Sequence, residues 1–386
     1  MTLLVRTEGT TGPENASDAD LLTRLHRIDA HGPVQVIRRS RITGDTVAFR
    51  RGFEGRVLYA VKANPHMAVL RAIVCAGVED FDIASIAELH LLRAAIPGAR
   101  AHFMNPVKSR VEIRQACKAG VRSFALDCTE ELHKIVEETA GIDDLGLFVR
   151  MRVDQQGAVH GLGTKFGVAP LHAVELLRQA RAHCVRLGIA FHVGSQCMDP
   201  ARFERALAQV GELMDASDVV PDIIDIGGGF PVPYANLDPA PLESYFAVIR
   251  SGWKVLGVHR DCELWAEPGR ALCAAGCSMV LRVVLRRGMD LFLNDGVYGA
   301  FTHCVSSEFC YPVRRIGMVG AGPEELGAFT LYGPTCDGAD RFFGRHLLPL
   351  DTHEGDFIEF AQLGAYGCSL ASSFNGFGHH CTLELD

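Results

Sequence analysis

Residues 57–267 alternate short apolar segments, typical of strands, with longer segments of helical periodicity, and this alternation constrains the fold more than any other feature. Strands are predicted at Val57–Val61, Asp80–Ala84, Ala101–Asn105, Arg122–Asp127, Leu145–Val153, Ile189–Gly194, Asp222–Ile226 and Cys262–Ala266. Eight parallel strands with connecting helices over roughly 210–250 residues are typical of a (β/α)8 TIM barrel. A doubly wound open sheet is the alternative, but such a sheet rarely needs eight units.

The segments between these strands predict the helices that a parallel barrel requires. Their predicted bounds are His66–Ala76, Ile86–Ala95, Val111–Ala119, Glu130–Thr139, Leu171–Arg186, Arg202–Met214 and Leu242–Leu256. Ser85 and Glu88 have the spacing of a capping box, and Asp127 with Glu130 resembles the same device with Asp127 as the cap.

The pattern changes after Arg270, where strand-like segments separated by Gly and Pro turns replace most of the helices. The strands predicted there are Ser278–Arg286, Met289–Asn294, Phe329–Tyr332, Asp356–Phe360 and Cys381–Leu385. We assign residues 35–270 to the barrel, and residues 1–34 with 271–386 to a second, β-rich domain. Near this boundary, the short strand predicted at Val34–Arg38 either joins the β-rich domain or leads into the barrel.

The composition argues against several classes of function. The formal net charge is -8 and no basic stripe is present, which argues against a nucleic-acid partner. No long apolar span or leader is seen, so we expect a cytoplasmic protein with no membrane partner. The 13 cysteines are scattered and are expected to be reduced thiols. No CxxC or HExxH motif is present, so no metal is expected.

Lys62 is the first candidate functional residue, because it ends the apolar segment of the first predicted strand. Desolvation would lower the pKa of a lysine at this position and favour the neutral amine, a nucleophile suited to forming a Schiff base. The alternative is a lysine that extends its ammonium group from the strand end to water. The residue alone leaves both interpretations open.

Further polar and glycine-rich residues follow the other predicted strands at the same end of the barrel, where barrel enzymes carry their chemistry. They are Asp82, Arg150, His192, Ser195, Gly227, Gly228, Gly229, Glu267, Gly269 and Arg270. The three consecutive glycines would let backbone N–H groups approach a phosphate, although glycine also serves ordinary turns. Glu267 could pair with a protonated ring nitrogen, and Arg270 or Ser195 could bind a phosphate. A phosphorylated aromatic aldehyde would use all of these groups.

The β-rich domain adds a Gly-flanked loop, Gly333–Gly338, in which Cys336 precedes Asp337. The pair could supply a proton donor and an anion for a substrate cation. The alternative is an ordinary turn with an incidental thiol.

Together these segments resemble one family, the fold-type III pyridoxal-phosphate decarboxylases, which include ornithine, lysine, arginine and diaminopimelate decarboxylases. The resemblance is carried, in order, by Tyr59–Asn64, Phe81–Ser85, Phe191–Ser195, Asp225–Pro231, Glu267–Arg270, Asn294–Gly299 and Ser373–Phe377. The Gly333–Gly338 loop is most similar to the ornithine decarboxylase branch. The resemblance implies a TIM barrel with an alanine racemase-like β-domain. It also implies pyridoxal phosphate as cofactor and decarboxylation of a basic L-amino acid, ornithine before lysine, in polyamine biosynthesis.

The resemblance also implies roles for individual residues. Lys62 binds the cofactor covalently, His192 stacks on its ring, Glu267 holds its ring nitrogen and Cys336 returns a proton to the substrate. The cofactor site that it implies comprises Lys62, Asp82, Arg150, His192, Ser195, Gly227, Gly228, Gly229, Glu267, Gly269, Arg270 and Tyr366. The substrate-binding residues that it implies are Asp337, Tyr298, Ser306, Ser307, Glu308 and Phe374. In this family Cys336 and Asp337 reach into the partner's site, which implies a homodimer with shared active sites.

One position departs from the ornithine decarboxylase pattern. Members acting on ornithine place an Asp shortly after the run that ends at Gly299, as a second anchor for the distal amine, and the matching position here is Ser307. Either Glu308 takes this role, or the distal group is not a simple ornithine amine. Arginine, diaminopimelate or another specialised diamino acid therefore remain alternative substrates. An amino-acid racemase and a catalytically inactive regulatory homologue remain alternative functions of the same fold.

Overall fold

The computed structural model describes residues 4–5, 18–28, 32–154, 158–160, 165–258, 260–307, 309–317 and 325–386. The strands are β1 (Leu4–Val5), β2 (Val34–Arg38), β3 (Arg56–Ala60), β4 (Asp80–Ile83), β5 (Arg100–Phe103), β6 (Ser123–Leu126), β7 (Gly146–Arg150), β8 (Ala158–His160), β9 (Arg186–Ala190), β10 (Ser195–Cys197), β11 (Ile223–Asp225), β12 (Glu263–Ala266), β13 (Cys277–Arg287), β14 (Asp290–Leu293), β15 (Val313–Ile316), β16 (Leu326–Tyr332), β17 (Arg345–Pro349), β18 (Phe357–Phe360) and β19 (Cys381–Leu385). The helices are α1 (Asp18–Arg27), α2 (Arg39–Gly52), α3 (Met67–Cys75), α4 (Ile86–Ala95), α5 (Arg110–Lys118), α6 (Thr129–Glu138), α7 (Pro170–Arg181), α8 (Ala201–Ser217), α9 (Leu242–Leu256), α10 (Arg270–Cys273) and α11 (Thr302–Ser307).

The chain divides into two compact units. The barrel unit comprises residues 43–231 and 239–272, and the β-rich unit comprises residues 1–42, 232–238 and 273–386. The domain boundary predicted at residue 35 falls inside β2, whose backbone pairs with β13 and β19 of the β-rich sheet. This long-range pairing, which local sequence does not encode, assigns the strand to the β-rich unit.

The barrel unit contains the predicted closed parallel barrel, with strand order β3, β4, β5, β6, β7, β9, β11, β12 and back to β3. Its interior is filled by apolar side chains from several strands, including the rings of Phe148 and Trp265, whose centroids lie 5.2 Å apart. Burying each such ring stabilises the fold by roughly 1.5–3 kcal/mol. The barrel is thus a packed core, and the residues at the carboxyl ends of its strands are available for function.

The sixth barrel strand lies earlier in the chain than the sequence predicts. The apolar, aromatic segment Ile189–Gly194 has strand character, but the observed β9 is Arg186–Ala190. Its register is set by neighbours on both sides, because Gly188 pairs with Phe148 of β7 and with Ile223 of β11. The residues after Ala190 are consequently released from the strand to follow its carboxyl end.

The amino-terminal end of the barrel is closed by ion pairs. Asp80 accepts two hydrogen bonds from the Arg100 guanidinium, both 2.9 Å, and lies 2.9 Å from His102 Nε2. Burial alone would raise the pKa of Asp80, but its bonds to His102 and Arg100 hold that pKa well below its usual range. Arg56 joins the same carboxylate to Glu263 of β12. Because catalysis in barrels is located at the other end, this network serves stability.

Helix starts follow the predicted chemistry at one site and depart from it at another. The Ser85 hydroxyl accepts a hydrogen bond from Glu88 N at 3.2 Å and caps α4, whereas the Glu88 carboxylate accepts from Ala84 N rather than from the cap residue. The prediction that Asp127 caps α6 is wrong. Cys128 occupies the cap position, and the Asp127 carboxylate accepts a hydrogen bond from Gly167 N instead.

The β-rich unit is built on one mixed sheet, with strand order β1, β17, β16, β14, β13, β18 and β15 and with β2 attached to β13. Strands β15 and β17 complete it, although the sequence did not predict them. One side of the sheet packs on α1 through Leu21 and Leu25. Inside the unit, Arg38 donates to Glu359 at 2.6 Å, and both side chains are almost fully buried.

Candidate active site

Lys62 lies just beyond the strand end, not inside the strand. Strand β3 ends at Ala60, and residues 61–63 form a single 3-10 turn that holds Lys62. The side chain is 41% exposed, so the expected desolvation inside an apolar strand is not observed. Its ammonium group instead forms an ion pair with the buried carboxylate of Asp82 in β4. The amine is therefore held in place by a neighbouring anion at the carboxyl end of the barrel.

A second carboxyl group extends this acidic surrounding. Burial raises the pKa of Glu88 in α4, and the nearby Asp82 charge raises it further. The sequence predicts only a capping role for Glu88. Its place near Asp82 follows from the fold, because a turn of only two residues, 84–85, joins β4 to the start of α4.

His192 follows β9 and is held in one tautomer by the backbone. The Gly194 N–H donates to its Nδ1 at 2.9 Å, so Nδ1 is unprotonated. Burial lowers the pKa of His192 well below its usual value, and the charges of Arg150 and Lys62 lower it further. The ring is consequently neutral at physiological pH and presents a flat aromatic face at the carboxyl end of the barrel.

The segment Gly227–Gly229 after β11 is packed so closely that only glycine fits. Gly227 has φ +67, and an added Cβ would collide with Phe191 O. Gly229 has φ +102, and its Cβ would lie 2.5 Å from Gly194 O. At Gly228 an added Cβ would lie 2.7 Å from Glu267 O and 3.3 Å from His192 Nε2. The result is a bare backbone cradle of the kind that binds phosphate.

Glu267 and the buried Asp225 form an acidic pair beside this cradle. Glu267 follows β12, and its backbone N–H donates to Gly227 O at 2.8 Å. Burial raises the pKa of Glu267 well above its usual value, and the charges of Asp225 and Asp82 raise it further. Burial also raises the pKa of Asp225 to about 6. A cationic ring nitrogen placed against such a carboxyl would compensate the buried charge.

Arg270 supplies a buried cation at the start of α10. Its guanidinium donates to Ser195 Oγ at 3.3 Å, which joins the segments that follow β9 and β12. The preceding Gly269 is required by space, because an added Cβ would lie 2.7 Å from the Cβ of Ala63. Arg150, the last residue of β7, lies over the Phe166 ring with 5.5 Å between its Cζ and the ring centroid. The glycines, Ser195 and Arg270 together suit a phosphate group.

These groups fit pyridoxal phosphate. They include a primary amine, a neutral imidazole, a carboxyl group of raised pKa, a glycine cradle and a buried guanidinium, all at the carboxyl ends of the barrel strands. One oxygen of Asp82, Oδ1, is buried and has no hydrogen-bond partner among the described residues. Such an atom is suited to a donor on a bound group.

A second set of predicted residues meets within the β-rich unit. The Tyr298 hydroxyl donates a hydrogen bond to the Asp337 carboxylate, and the Tyr298 ring lies 4.9 Å from that of Phe374. Cys336 is exposed, and both its backbone N–H and its thiol contact Asn375 Oδ1 at 3.3 Å. Asn375 was not predicted as a site residue, although it lies in one of the family-like motifs.

Four predicted residues are not placed with this set. Tyr366, in the β-rich unit, has φ +62 and stacks on His303 with ring centroids 5.6 Å apart. Ser306 and Ser307 are described only as backbone of α11, and Glu308 lies outside the described residues. Their roles toward cofactor and substrate remain predictions.

The barrel and its site define a pyridoxal-phosphate enzyme. The family described as "Pyridoxal-dependent decarboxylase, pyridoxal binding domain" matches residues 37–274, and "Pyridoxal-dependent decarboxylase, C-terminal sheet domain" matches residues 198–364. The chain therefore belongs to the fold-type III pyridoxal-phosphate decarboxylases, is an amino-acid decarboxylase and uses pyridoxal phosphate.

Individual relatives narrow the reaction to basic amino acids. The chain is 32% identical to the lysine/ornithine decarboxylase of Selenomonas ruminantium, over 83% of this chain and 81% of that protein. A Vibrio vulnificus lysine/ornithine decarboxylase complexed with putrescine superposes with a TM-score of 0.82 and 27% identity, covering 96% of this chain and 99% of the other. The Paramecium bursaria Chlorella virus arginine decarboxylase bound to agmatine superposes with a TM-score of 0.83 and 26% identity, covering 95% and 100%.

Within the ranges described above, no group of His, Cys, Asp and Glu is arranged to hold a metal ion. No helix in that part of the chain is long and apolar enough to span a membrane.

Proposed function

We propose that this enzyme decarboxylates L-ornithine in preference to L-lysine. It releases the corresponding diamine for polyamine biosynthesis in the cytoplasm. The observation that carries the proposal is the exposed carboxylate of Asp337. Hydrogen bonds from Ala339 N–H and the Tyr298 hydroxyl lower the pKa of Asp337, so it is ionised at neutral pH. An ionised carboxylate suits the ammonium group at the far end of a basic amino acid. Relatives named for ornithine and lysine decarboxylation support a substrate of this basic class.

The barrel residues bind and orient the cofactor. Lys62 carries the amine that would bind its aldehyde, and Asp82 holds that amine in place. His192 would stack on the ring as a neutral imidazole, and Glu267 would pair with the ring nitrogen. The Gly227–Gly229 cradle, with Ser195, Gly269 and Arg270, would hold the phosphate, and Arg150 would order the ring side.

Pyridoxal phosphate supplies an acceptor for the electron pair that remains at the α-carbon when carbon dioxide leaves. The protein must then deliver a proton to that carbon. We assign this proton to the Cys336 thiol, which lies next to the Asp337 carboxylate that binds the distal amine. Tyr298 positions Asp337, and Phe374 packs against Tyr298 as an apolar wall for the substrate's methylene chain.

The family resemblance implies that Cys336 and Asp337 reach into the partner's site, and we therefore propose a homodimer. Each site would combine one protomer's barrel with the partner subunit's Cys336 and the partner subunit's Asp337. A two-fold axis would then build two equivalent sites, because each protomer contributes in the same way to both. Glu308, or Ser306 and Ser307 next to it, would supply the second contact to the distal group.

A substrate panel tests this function. Holoenzyme is given L-ornithine, L-lysine, L-arginine and diaminopimelate, and kcat/KM is measured from carbon dioxide release. We expect ornithine to give the highest value and lysine the next. A higher value for arginine or diaminopimelate would contradict the proposed order.

Asp337→Asn tests the residue that carries the proposal. Its KM for ornithine should rise roughly 10- to 100-fold, as expected for the loss of a hydrogen bond between charged groups. Asp351→Asn is the matched control, because Asp351 is an exposed aspartate of the same unit that pairs with Arg315. Equal KM values for the two variants would remove Asp337 from substrate binding.

A further inference from the structure

The side-chain oxygen of Asn375, in the β-rich unit, contacts both the backbone N–H and the thiol of Cys336. The backbone N–H of Cys336 donates to Asn375 Oδ1 at 3.3 Å, and the thiol Sγ lies 3.3 Å from the same atom. A sulfur–oxygen contact of this length is a hydrogen bond when the thiol carries its proton. Asn375 is 39 residues away in sequence, so two separate loops are joined through this one atom.

The Asn375 backbone is shaped to place that oxygen. Asn375 has φ +53 and ψ 15 in the turn Phe374–Gly376, a left-handed conformation that Asn adopts more readily than other side chains. The turn is anchored to the neighbouring loop, because Ser372 N and Oγ donate to Tyr298 O at 3.0 and 2.8 Å. Phe374 also packs against the Tyr298 ring. The oxygen is therefore positioned from the same loop that positions Asp337 through Tyr298.

A thiol that contacts a fixed oxygen is constrained in position. The contact with Asn375 Oδ1 holds the Cys336 side chain in one rotamer and so fixes where its sulfur lies. Proton transfer depends on where the donor lies relative to the acceptor. A free thiol on an exposed loop would rotate among staggered positions.

We propose that Asn375 is a positioning residue that holds the sulfur of Cys336 in place for proton return; this inference rests on the proposed function. In the step it serves, the S–H bond breaks and a C–H bond forms at the α-carbon. The electrons of the new bond are those left by carbon dioxide, and solvent restores the thiol proton. The reaction needs no other reagent.

Two substitutions separate the amide oxygen from the backbone conformation. Asn375→Gly removes the oxygen and keeps a residue that adopts φ +53 without strain. Asn375→Asp keeps an acceptor oxygen at the same place and also tolerates this conformation. A difference shared by both variants would reflect the fold of the turn, whereas a difference confined to Asn375→Gly reports the contact with Cys336.

The first measurement needs no cofactor. The protein is freed of pyridoxal phosphate and treated with iodoacetamide between pH 6 and 9, and alkylation of each cysteine is followed by peptide mass spectrometry. Cys75, which is exposed in the barrel unit, is the internal reference. Because the contact with Asn375 restrains the sulfur, Asn375→Gly should speed alkylation of Cys336 relative to Cys75 by roughly 2- to 10-fold, as expected for the loss of one hydrogen bond. Asn375→Asp should not speed it.

The second measurement is the fate of the substrate in the holoenzyme. Protonation at the wrong carbon gives an aldehyde and the aminated cofactor in place of the diamine. Asn375→Gly should raise the fraction of aldehyde with little change in KM, and Asn375→Asp should restore the parent product. If Asn375→Gly matches the parent in both alkylation and product while Cys336→Ala forms aldehyde, the positioning role is wrong and the proposed acid stands. If Cys336→Ala itself gives clean diamine, the acid role of Cys336 fails, and the inference fails with it.

Discussion

Gly229→Ala measures how much the glycine cradle depends on the absence of a side chain. Gly229 has φ +102, and adopting a left-handed conformation costs an L-residue about 1–2 kcal/mol. The added Cβ would also lie 2.5 Å from Gly194 O and 2.9 Å from Val193 Cγ2, and overpacking of this kind costs about 1–3 kcal/mol. The two costs act on different degrees of freedom, so the free energy of unfolding should fall by about 2–5 kcal/mol.

Gly120→Ala is the matched control for this substitution. Gly120 has φ +87 in the barrel unit, but no atom lies within 4 Å of its added Cβ. The free energy of unfolding of Gly120→Ala should therefore fall only by the cost of the backbone conformation, about 1–2 kcal/mol. Urea unfolding is followed by tryptophan fluorescence, which reports on the barrel unit because Trp253 and Trp265 both lie there.

The affinity of the two variants for pyridoxal phosphate tests whether Gly229 also serves cofactor binding. If Gly229 approaches the phosphate, the alanine variant should bind pyridoxal phosphate more weakly than the parent, and Gly120→Ala should bind it normally. Equal unfolding free energies and equal affinities for the two variants would refute the argument that close packing at Gly229 builds the cofactor site.

Three further predictions concern charge and assembly. Glu267→Gln should lower kcat roughly 10- to 100-fold with cofactor still bound, since a charge-assisted contact to the ring nitrogen is lost; unchanged turnover would contradict that contact. Lys62→Ala and Asp337→Ala should each be nearly inactive alone, yet a mixture that exchanges subunits should recover about one quarter of parent activity; no recovery after proven exchange would mean that each site is built within one chain. Burial lowers the pKa of Lys108 to about 8, against 10.5 for an exposed lysine, so between these values the unfolded chain binds the extra proton and the Lys108 contribution to stability rises with pH. Lys108→Met should remove that rise from urea unfolding measured between pH 7 and 10, and an identical pH dependence would contradict it.

The sequence predicts the features that depend on local pattern. The alternation of apolar strands and amphipathic helices is a property of neighbouring residues, and the closed barrel confirms it. The predicted bounds of α4 and α9 also match the structure. The barrel cluster around Lys62 is predicted for a related reason, since residues that follow parallel strands meet at one end.

Features that depend on distant pairing are predicted poorly. Strand β9 contains Gly188 and Ala190, which are weak strand formers, and it is held in place by the two strands that flank it. The first predicted strand was extended to Val61 because the residues up to that point are apolar, but the strand ends at Ala60 and the chain turns at Val61. Asn375 carries no local signal of its contact with Cys336, because that contact depends on how two loops fold together.

Chemical labelling of the lysine that binds the cofactor tests the central claim most directly. Holoenzyme is reduced with borohydride, digested and mapped by mass spectrometry, so that the lysine bonded to pyridoxal phosphate keeps the label. We predict the label on Lys62, and no labelled peptide from Lys62→Ala after the same treatment. A label on another lysine, such as the buried Lys108, would contradict the assignment of the active site to the carboxyl end of β3.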